Sequence, residues 1–381
     1  MENAMREVVV DLDAIRRNVR TTAARIAPAK LMAIVKADAY GHGLEPVARA
    51  MAEAGADAFG VVDIEEARRL REAGIEQPIL AWIHGAGADF GWAVSAHIDL
   101  GIGSVENLDR VAMASRRAQV AALRDGAEVR QAIVHLKADS GLGRGGALGA
   151  EWQELVERAV EYEQDGLILV RGVWTHLANA SAEADEEQFL AFDGAVQLAR
   201  AAGLAPQVEH AASSASMVAH PHQVRDMVRV GLALYGLSTF PERTSAELGL
   251  HPAMEVGGEI VSVKRVPAGF GVSYGHRYVT ERETTLALVP LGYADGLPRA
   301  ATGRAPVSIN GRRYLVAGTI SMDQVVIDVG EDEVAVGDRA VFWGDPEKGH
   351  PSAQEWADAA GTISYEMVTR VGPRVHRRHL P

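Results

Sequence analysis

Side chains able to carry chemistry stand at the ends of short apolar runs in this 381-residue sequence. Lys36 closes the run LMAIV, where partial desolvation would lower the pKa of its amine and free it for a Schiff base with a carbonyl group. A surface lysine whose head group reaches water is the alternative interpretation. Carboxylates are few at these positions, so glycoside hydrolysis by paired carboxylates is a poor fit. The polar residues at or just after the run ends are Lys36, Asp38, Tyr40, His42, Lys137, Asp139, His176, His210, Ser213, Ser214 and Arg229.

A glycine-rich segment follows the fifth of these runs. Residues 141–146 (GLGRGG) match the spacing G-x-G-x-x-G, but a dinucleotide site needs that motif after the first strand of a βαβ unit. A loop that presents Arg144 explains the segment better. Arg144 could bind a substrate carboxylate through two hydrogen bonds, or it could be an ordinary solvated charge. His220 and His222 have no evident third ligand, so we expect no metal site.

The elements that must position these residues are eight apolar runs that alternate with segments of helical periodicity. Parallel strands followed by helices predict a (β/α)8, TIM-like barrel over residues 1–240, in which the strand ends converge on one mouth. The clearest helical segments are residues 45–55, 64–74, 151–166 and 186–203. The predicted strands begin near Leu31, Ala58, Pro78, Ile98, Gln131, Leu167, Gln207 and Met227.

The pattern changes after about residue 240. Long helical patterns stop, and short strands separated by glycine take over, with a hairpin turn expected at Asn310 and Gly311. We predict a mostly-β domain over residues 241–381, to which about the first ten residues could also belong. A single helix is expected within it, at residues 352–362.

Composition limits the partners and the compartment. A formal net charge of −13 and a pI near 5.5 disfavour binding to nucleic acid or anionic lipid, so the partner should be a small molecule. The absence of cysteine excludes disulfides, thiolate metal sites and a cysteine nucleophile. The first residues mix charges with apolar side chains, unlike a signal peptide, and no stretch reaches about 20 apolar residues. We therefore expect a cytoplasmic protein.

Nine segments of the sequence resemble the alanine racemase family, in the family's order and spacing, from near residue 8 to beyond residue 370. The resemblance implies a barrel followed by a β-domain, the cofactor pyridoxal 5′-phosphate and a homodimer with shared active sites. The implied activity is the interconversion of L-alanine and D-alanine, which supplies D-alanine for cell-wall peptidoglycan. The segments are AIVKADAYGHG, HLKADSGLGRGG, WTHLANA, HAASSA, VRVGLALYG, GVSYGH, PLGYADGLPR, AGTISMDQ and ISYEMVTRVGPRV.

The resemblance assigns two catalytic bases. Lys36 would carry the cofactor as a Schiff base and then act as one base, while Tyr274 would reach the site from the other subunit as the second. Inversion needs two bases because the proton must return to the opposite face of the substrate Cα. His176 would stabilise the phenolate of Tyr274. Arg229 would contact the pyridine nitrogen as a donor that does not pass on its proton.

The same resemblance assigns the binding residues. Arg144 and the backbone amide of Met322 would take the substrate carboxylate. Lys137 matches a lysine that can be carbamylated, and the resulting anion would orient Arg144. Tyr293 and Tyr365 would narrow the substrate entrance to little more than a methyl group. The residues assigned to the phosphate are Tyr40, Ser214, Gly231 through its backbone, and Tyr365.

Two departures from the family pattern and three alternative functions stay open at this level. Ser213 stands where the family often has asparagine, and residues 319–321 (TIS) also differ, which leaves the selectivity for alanine less defined. A same-fold racemase or decarboxylase for a larger amino acid is the nearest alternative, although a decarboxylase would not need Tyr274 or Arg144. A non-catalytic cofactor-binding protein would have no use for Tyr274 either. An NAD-linked oxidoreductase depends on residues 141–146 alone.

Overall fold

The computed structural model describes residues 5–381, which divide into two compact units. The barrel unit comprises Val19–Ala37 and Ala48–Leu234. The β unit comprises the described residues up to Asn18, together with Asp38–Val47 and Tyr235–Pro381. Two segments that precede residue 240 therefore fold with the β-rich part of the chain.

Strands and helices alternate in the first half of the chain, whereas strands dominate the second half. The strands are β1 (Arg6–Asp11), β2 (Lys30–Ile34), β3 (Ala58–Val61), β4 (Ile79–Ala81), β5 (Ile98–Ile102), β6 (Ala132–Lys137), β7 (Ile168–Trp174), β8 (Val208–His210), β9 (Met227–Val230), β10 (Met254–Glu259), β11 (Ser262–Val266), β12 (Gly271–Val272), β13 (Tyr278–Val279), β14 (Thr284–Val289), β15 (Pro306–Ile309), β16 (Arg312–Ala317), β17 (Val325–Gly330), β18 (Arg339–Trp343) and β19 (His376–Leu380). The helices are α1 (Leu12–Ile26), α2 (Lys36–Tyr40), α3 (Leu44–Glu53), α4 (Ile64–Glu72), α5 (Phe90–Ser95), α6 (Val105–Asp125), α7 (Ala150–Gln164), α8 (Ala182–Ala201), α9 (Ser216–Ala219), α10 (Ala353–Ala360) and α11 (Ser364–Thr369).

The barrel unit is built on an eight-stranded parallel sheet in the order β8-β7-β6-β5-β4-β3-β2-β9. Ser213, three residues beyond the end of β8, forms an isolated parallel bridge with Arg229 of β9, which nearly closes the barrel. All eight predicted barrel strands are confirmed. Their continuous apolar runs are typical of parallel strands that are covered on both faces.

Large rings fill the inside of this barrel because glycines stand opposite them. A Cβ atom on Gly172 would lie 2.4 Å from Nδ1 of His135, and one on Gly101 would lie 2.8 Å from Cβ of Trp82. Only glycine leaves that space on a strand. The barrel can therefore hold polar and aromatic rings in its interior.

The β unit contains a nine-stranded sheet in the order β11-β14-β17-β16-β15-β18-β10-β1-β19. The predicted hairpin is confirmed: β15 and β16 are antiparallel, and both turn residues, Asn310 (φ 48°) and Gly311 (φ 76°), have the positive φ of a type I′ turn. The predicted helix is α10. Sequence patterns did not predict β19, because its residues HRRHL show no apolar alternation.

An ion-pair cluster ties β19 to its neighbours. Glu7 is 2% exposed, and its carboxylate accepts hydrogen bonds from Nε of Arg378 (2.7 Å) and from a terminal nitrogen of Arg339 (3.2 Å). The Arg378 hydrogen bond holds the pKa of Glu7 below its ordinary value, against the opposing effect of burial. Charge pairing therefore takes the place of apolar packing at this edge.

Among the helices of residues 5–381, none combines the length and the apolar composition that a membrane crossing requires.

We expect Glu7→Gln to destabilise the protein at pH 7 by about 1–3 kcal/mol, because both arginines lose a buried charged acceptor. A carboxyl with a lowered folded-state pKa stabilises the fold above its ordinary pKa of 4.5 and loses that contribution as the pH falls through the lowered value. The difference in the free energy of unfolding between wild type and Glu7→Gln should therefore become smaller as the pH is lowered. Thermal unfolding of both proteins from pH 7 down to pH values below 4.5 measures it. The control is Glu259→Gln on β10, because the carboxylate of Glu259 has no ion pair within residues 5–381. A destabilisation by Glu7→Gln that does not change with pH would contradict the assignment.

Candidate active site

Lys36 begins α2, which is a left-handed turn that follows β2 after one intervening residue. The four residues that follow it, Ala37 to Tyr40, have φ values between 52° and 54°. This conformation costs roughly 1–2 kcal/mol per residue, and residues held in it cluster at functional sites. Within the barrel unit, the amide of Ala37 donates to Oε1 of Glu66 (2.7 Å), and the amide of Val62 donates to Oε2 of the same carboxylate (2.9 Å). Glu66 thus anchors the lysine.

The surroundings of Lys36 favour its neutral amine. Burial lowers the pKa of Lys36, the nearby guanidinium groups of Arg144 and Arg229 lower it further, and Glu66 partly opposes them. Its Nζ lies 5.8 Å from the centre of the Trp82 ring. A half-buried amine between cations is a better nucleophile and base near neutral pH than a solvated one.

Lys36 belongs to a cluster of cations at the barrel mouth. Burial and Arg144 lower the pKa of Lys137 to about 8, and its Nζ lies 4.8 Å from the centre of the Trp174 ring. The carboxylate of Asp139 accepts from the amides of Gly141 and Gly143. It is therefore occupied by the glycine-rich loop. Arg144, on that loop, is exposed, and its guanidinium has no hydrogen-bond or ion-pair partner among residues 5–381.

Arg229 is buried inside the barrel with most of its donors satisfied. One terminal nitrogen contacts the carbonyl oxygen (2.6 Å) and Nδ1 (3.1 Å) of His210. The other contacts the carbonyl oxygens of Thr175 (2.6 Å) and Ala211 (3.1 Å) and Nδ1 of His176 (3.2 Å). Within the described chain, only the Nε–H of its guanidinium has no protein acceptor, so this donor is available to a ligand.

His176 is neutral. Burial, followed by the charges of Arg229 and Arg144, lowers its pKa to about 3. Because a guanidinium only donates, Nδ1 of His176 must accept the contact from Arg229, which places the ring proton on Nε2. His176 therefore presents a hydrogen-bond donor and no charge.

Two further predicted residues meet beside these cations. The amide of Gly231 donates to Oγ of Ser214 at 3.0 Å, and both residues are buried. Ser213, one of the departures from the family pattern, is engaged elsewhere: its Oγ lies 3.0 Å from Oγ of Ser216, and its amide donates to the same oxygen. The barrel unit thus brings Lys36, Lys137, Arg144, His176, Ser214, Arg229 and Gly231 to one end.

The β unit holds the remaining predicted residues, beginning with two tyrosines. The ring centres of Tyr40 and Tyr365 are 6.2 Å apart, and those of Tyr40 and Tyr235 are 4.7 Å apart with the ring planes inclined at 31°. Burial raises the pKa of both Tyr40 and Tyr365. Their hydroxyls therefore remain protonated and can donate to an anion.

Tyr274 projects from a strained loop of the β unit. It is 74% exposed, and its neighbours Ser273 (φ 60°) and Gly275 (φ 71°) both have positive φ. Thr319 fixes this loop: its hydroxyl donates to the carbonyl oxygen of Tyr274 (2.9 Å), and its own carbonyl accepts from the hydroxyl of Ser273 (2.7 Å). One of the departures from the family pattern therefore supports the predicted second base.

Met322 and Tyr293 are held together in the same unit. The amide of Tyr293 donates to the carbonyl of Ser321, and that of Ala294 donates to the carbonyl of Met322, both at 3.0 Å. A Cβ atom on Gly292 would lie 2.3 Å from the carbonyl oxygen of Met322. The glycine of the LGYADG motif therefore permits this close approach.

His220 and His222 have another explanation in the structure. Both contact Oε1 of Glu186, at 3.2 Å and 3.0 Å. Among residues 5–381, no group of three or more histidine, aspartate and glutamate side chains is arranged to hold a metal ion.

Sequence reasoning missed Glu66 and Thr319. Glu66 lies in the first turn of α4, directly after β3, so an acid following a strand end was the available signal. Thr319 lies between strands and gave no signal except its departure from the family pattern.

The fold and these side chains define a two-unit barrel protein with a cationic mouth suited to a small anionic ligand. Comparison with known proteins makes the family specific. The family model for the N-terminal domain of alanine racemase matches residues 10–239, and that for the C-terminal domain matches residues 253–379. The chain belongs to the alanine racemase family.

Individual relatives match over nearly the whole chain. It is 49% identical over 374 residues to an alanine racemase of Thermobifida fusca, covering 97% of each protein. It is 48% identical over 376 residues to that of Frankia casuarinae, covering 98% of this chain and 95% of the relative. The crystal structure of alanine racemase from D-cycloserine-producing Streptomyces lavendulae superposes with a TM-score of 0.95 at 46% identity, covering 100% of this chain and 98% of that one.

We expect Thr319→Val to lower kcat for alanine racemisation roughly fivefold and to leave KM within about twofold, because it removes one neutral hydrogen bond of about 1 kcal/mol that positions Tyr274. Thr319→Ser keeps the hydroxyl and should retain most of the activity. Steady-state kinetics in both directions measures the effect. A loss in Thr319→Ser as large as that in Thr319→Val would contradict the assignment, because serine keeps the hydroxyl that donates to Tyr274.

Proposed function

We propose that this protein interconverts L-alanine and D-alanine, with Lys36 and Tyr274 as the two proton-transferring bases. The observation that carries the proposal is the cationic barrel mouth around Lys36, in a chain that is 49% identical to an alanine racemase over nearly its full length. The product D-alanine would supply peptidoglycan synthesis, and we place the enzyme in the cytoplasm with its amino-acid substrate.

The chemistry of the predicted site residues fits pyridoxal phosphate. Lys36 supplies an amine with a lowered pKa for the covalent link. The uncommitted Nε–H of Arg229 suits the ring nitrogen, because a guanidinium donates without giving up its proton. The phosphate would be held by Ser214, the backbone of Gly231, Tyr40 and Tyr365, beside cations that offset its charge. When bound, the cofactor withdraws electrons from the substrate Cα and so allows its proton to leave.

Lys36 and Tyr274 would exchange the Cα proton on opposite faces. The lowered pKa of Lys36 lets its neutral amine take a proton, and its ammonium return one, near neutral pH. Tyr274 is 74% exposed on its own chain, which suits a residue delivered to a second copy. We therefore propose a homodimer in which each site combines Lys36 of one chain with Tyr274 of the partner subunit.

His176 would assist the tyrosine. An unperturbed tyrosine has a pKa of about 10, so its phenolate needs a donor to act as a base near neutral pH. His176 is neutral with its proton on Nε2, so it can donate that hydrogen bond without adding a charge that would compete for the proton.

Arg144 would bind the substrate carboxylate together with the amide of Met322. Its guanidinium lacks a partner within residues 5–381, so an anion is needed to orient it. A carbamate on Lys137 would provide that anion. Carbamylation requires a neutral amine, and the pKa of about 8 that burial and Arg144 give Lys137 makes one available near neutral pH. Tyr293 and Tyr365 would restrict the entrance to a small side chain.

We expect the wild-type enzyme with pyridoxal phosphate to convert L-alanine into D-alanine with solvent deuterium at Cα, and the reverse. Tyr274→Phe should lose racemisation by about 10²–10⁴-fold, because it removes one of the two bases. Cα exchange with retained configuration should survive, since Lys36 still reaches one face. Chiral chromatography coupled to mass spectrometry in deuterated water measures both products.

Two results would count against this proposal. Alanine left unchanged by the wild type would reject the substrate. Full racemisation by Tyr274→Phe would reject the second base. Tyr278→Phe is the matched control. Tyr278 is partly buried, its hydroxyl donates to Asp328 (2.6 Å), and its replacement should leave racemisation intact.

A further inference from the structure

A continuous hydrogen-bonded chain crosses the inside of the barrel unit below Arg229. Nδ1 of His210 lies 3.1 Å from a terminal nitrogen of Arg229, and Nε2 of His210 lies 2.9 Å from Nδ1 of His135. Nε2 of His135 lies 3.1 Å from Oδ2 of Asp99, and that carboxylate is paired with Arg171 at 2.8 Å. The four inner residues are at most 5% exposed.

The two ends of the chain fix the direction of every hydrogen bond in it. Arg229 can only donate, and the ionised carboxylate of Asp99 can only accept. His210 must therefore accept on Nδ1 and donate from Nε2 to His135. His135 must accept on Nδ1 and donate from Nε2 to Asp99. Both rings are then neutral, with the proton on Nε2.

Any other protonation leaves two donors facing each other. A proton on Nδ1 of His210 would point at the N–H of Arg229. A proton on Nδ1 of His135 would force His210 into that same form. Burial and the charge of Arg229 hold the pKa of His210 well below its ordinary value, in agreement with a neutral ring.

Packing keeps the rings aligned for this chain. The indole of Trp174 stacks on His210 with an interplanar angle of 2° and a ring separation of 5.7 Å, and its Nε1 donates to the carbonyl of His135 at 3.3 Å. The ring of His135 occupies the space that Gly172 leaves, where a Cβ atom would lie 2.4 Å from Nδ1. The geometry of the whole chain, including Arg229 on β9, therefore depends on residues from five strands, β5 to β9.

We propose that Asp99, anchored by Arg171, is a positioning residue that acts on Arg229 through His135 and His210. This inference rests on the proposed function, in which Arg229 contacts the cofactor ring nitrogen. By accepting the last hydrogen bond, Asp99 orders both histidine protons so that His210 offers Arg229 a lone pair. A carboxylate on the far side of the barrel thereby holds the guanidinium in place.

Neutron crystallography of the deuterated holoenzyme tests the proton order directly. We expect deuterium on Nε2 of both His135 and His210 and none on Nδ1 of either. Deuterium on Nδ1 of either ring would overturn the inference. This result does not depend on catalysis, so it is separate from the test of alanine racemisation, whose failure would reject the proposed function alone.

Asp99→Asn tests the consequence for Arg229. Asparagine keeps the size of Asp99 but presents an amide N–H₂ in place of one carboxylate oxygen. The residue at this end of the chain can then donate as well as accept, so it no longer fixes the proton of His135 on Nε2. We expect kcat for racemisation to fall about tenfold with KM changed less than about twofold, corresponding to the loss of roughly one hydrogen bond to a charged group. The fraction of turnovers that release pyruvate, with the amino group left on the cofactor, should rise as Arg229 loses its hold on the ring nitrogen.

Asp185→Asn is the matched control, because Asp185 is equally buried (4% exposed) and also contacts a histidine, His220 at 3.4 Å, but lies outside the chain. It should leave kcat and the pyruvate fraction unchanged. Identical behaviour of the two variants would overturn the proposal. If Asp99→Asn fails to fold, the neutron measurement on the wild type still decides the proton order.

Discussion

The burial of one guanidinium group inside a parallel barrel constrains much of this structure. Removing a cation from water costs several kcal/mol unless hydrogen bonds replace its hydration. Arg229 obtains them from the carbonyl oxygens of Thr175, His210 and Ala211 and from two histidine rings. Burial, reinforced by the charge of Arg229, keeps the pKa of His176 and His210 low, so both rings stay neutral.

The same charge influences the residues that the proposed reaction uses. Arg229 and Arg144 lower the pKa of both Lys36 and Lys137, in addition to the effect of burial. A protein with a formal net charge of −13 thus collects positive charge at one barrel end, where a phosphate and a substrate carboxylate can neutralise it. Neutral histidines and backbone carbonyl oxygens, and not carboxylates, replace the hydration of the buried Arg229 guanidinium.

Sequence patterns predicted the architecture well because apolar periodicity reports burial directly. All eight barrel strands, the mostly-β character of the second unit and α10 followed from it, and the Asn-Gly pair predicted the turn at Asn310 and Gly311. β19 did not, because its stability comes from ion pairs such as Arg378 with Glu7 and from pairing with β1. The left-handed turn after Lys36 could not be predicted from the sequence either, because Asp38 is the one residue type among Ala37 to Tyr40 that favours positive φ.

Candidate residues at strand ends could be named from the sequence alone. Contacts between residues that lie far apart in the sequence could not. Lys36, His176 and Arg229 stand at strand ends or within a strand, and the structure gathers them. The role of Thr319 depends on a contact 45 residues away in sequence, and the His135–Asp99 contact spans 36 residues. Such contacts appear only once the fold brings the strands together.

The most direct test of the proposed shared site is to mix two inactive variants. Lys36→Ala lacks the cofactor lysine, and Tyr274→Phe lacks the second base, so a mixed dimer would contain one site with both wild-type residues. After subunit exchange has been verified by native mass spectrometry, we predict that racemase activity returns, to about a quarter of the wild-type level per total protein when an equal mixture randomises. No recovery in a verified mixed dimer would contradict a site built from Lys36 of one subunit and Tyr274 of the other.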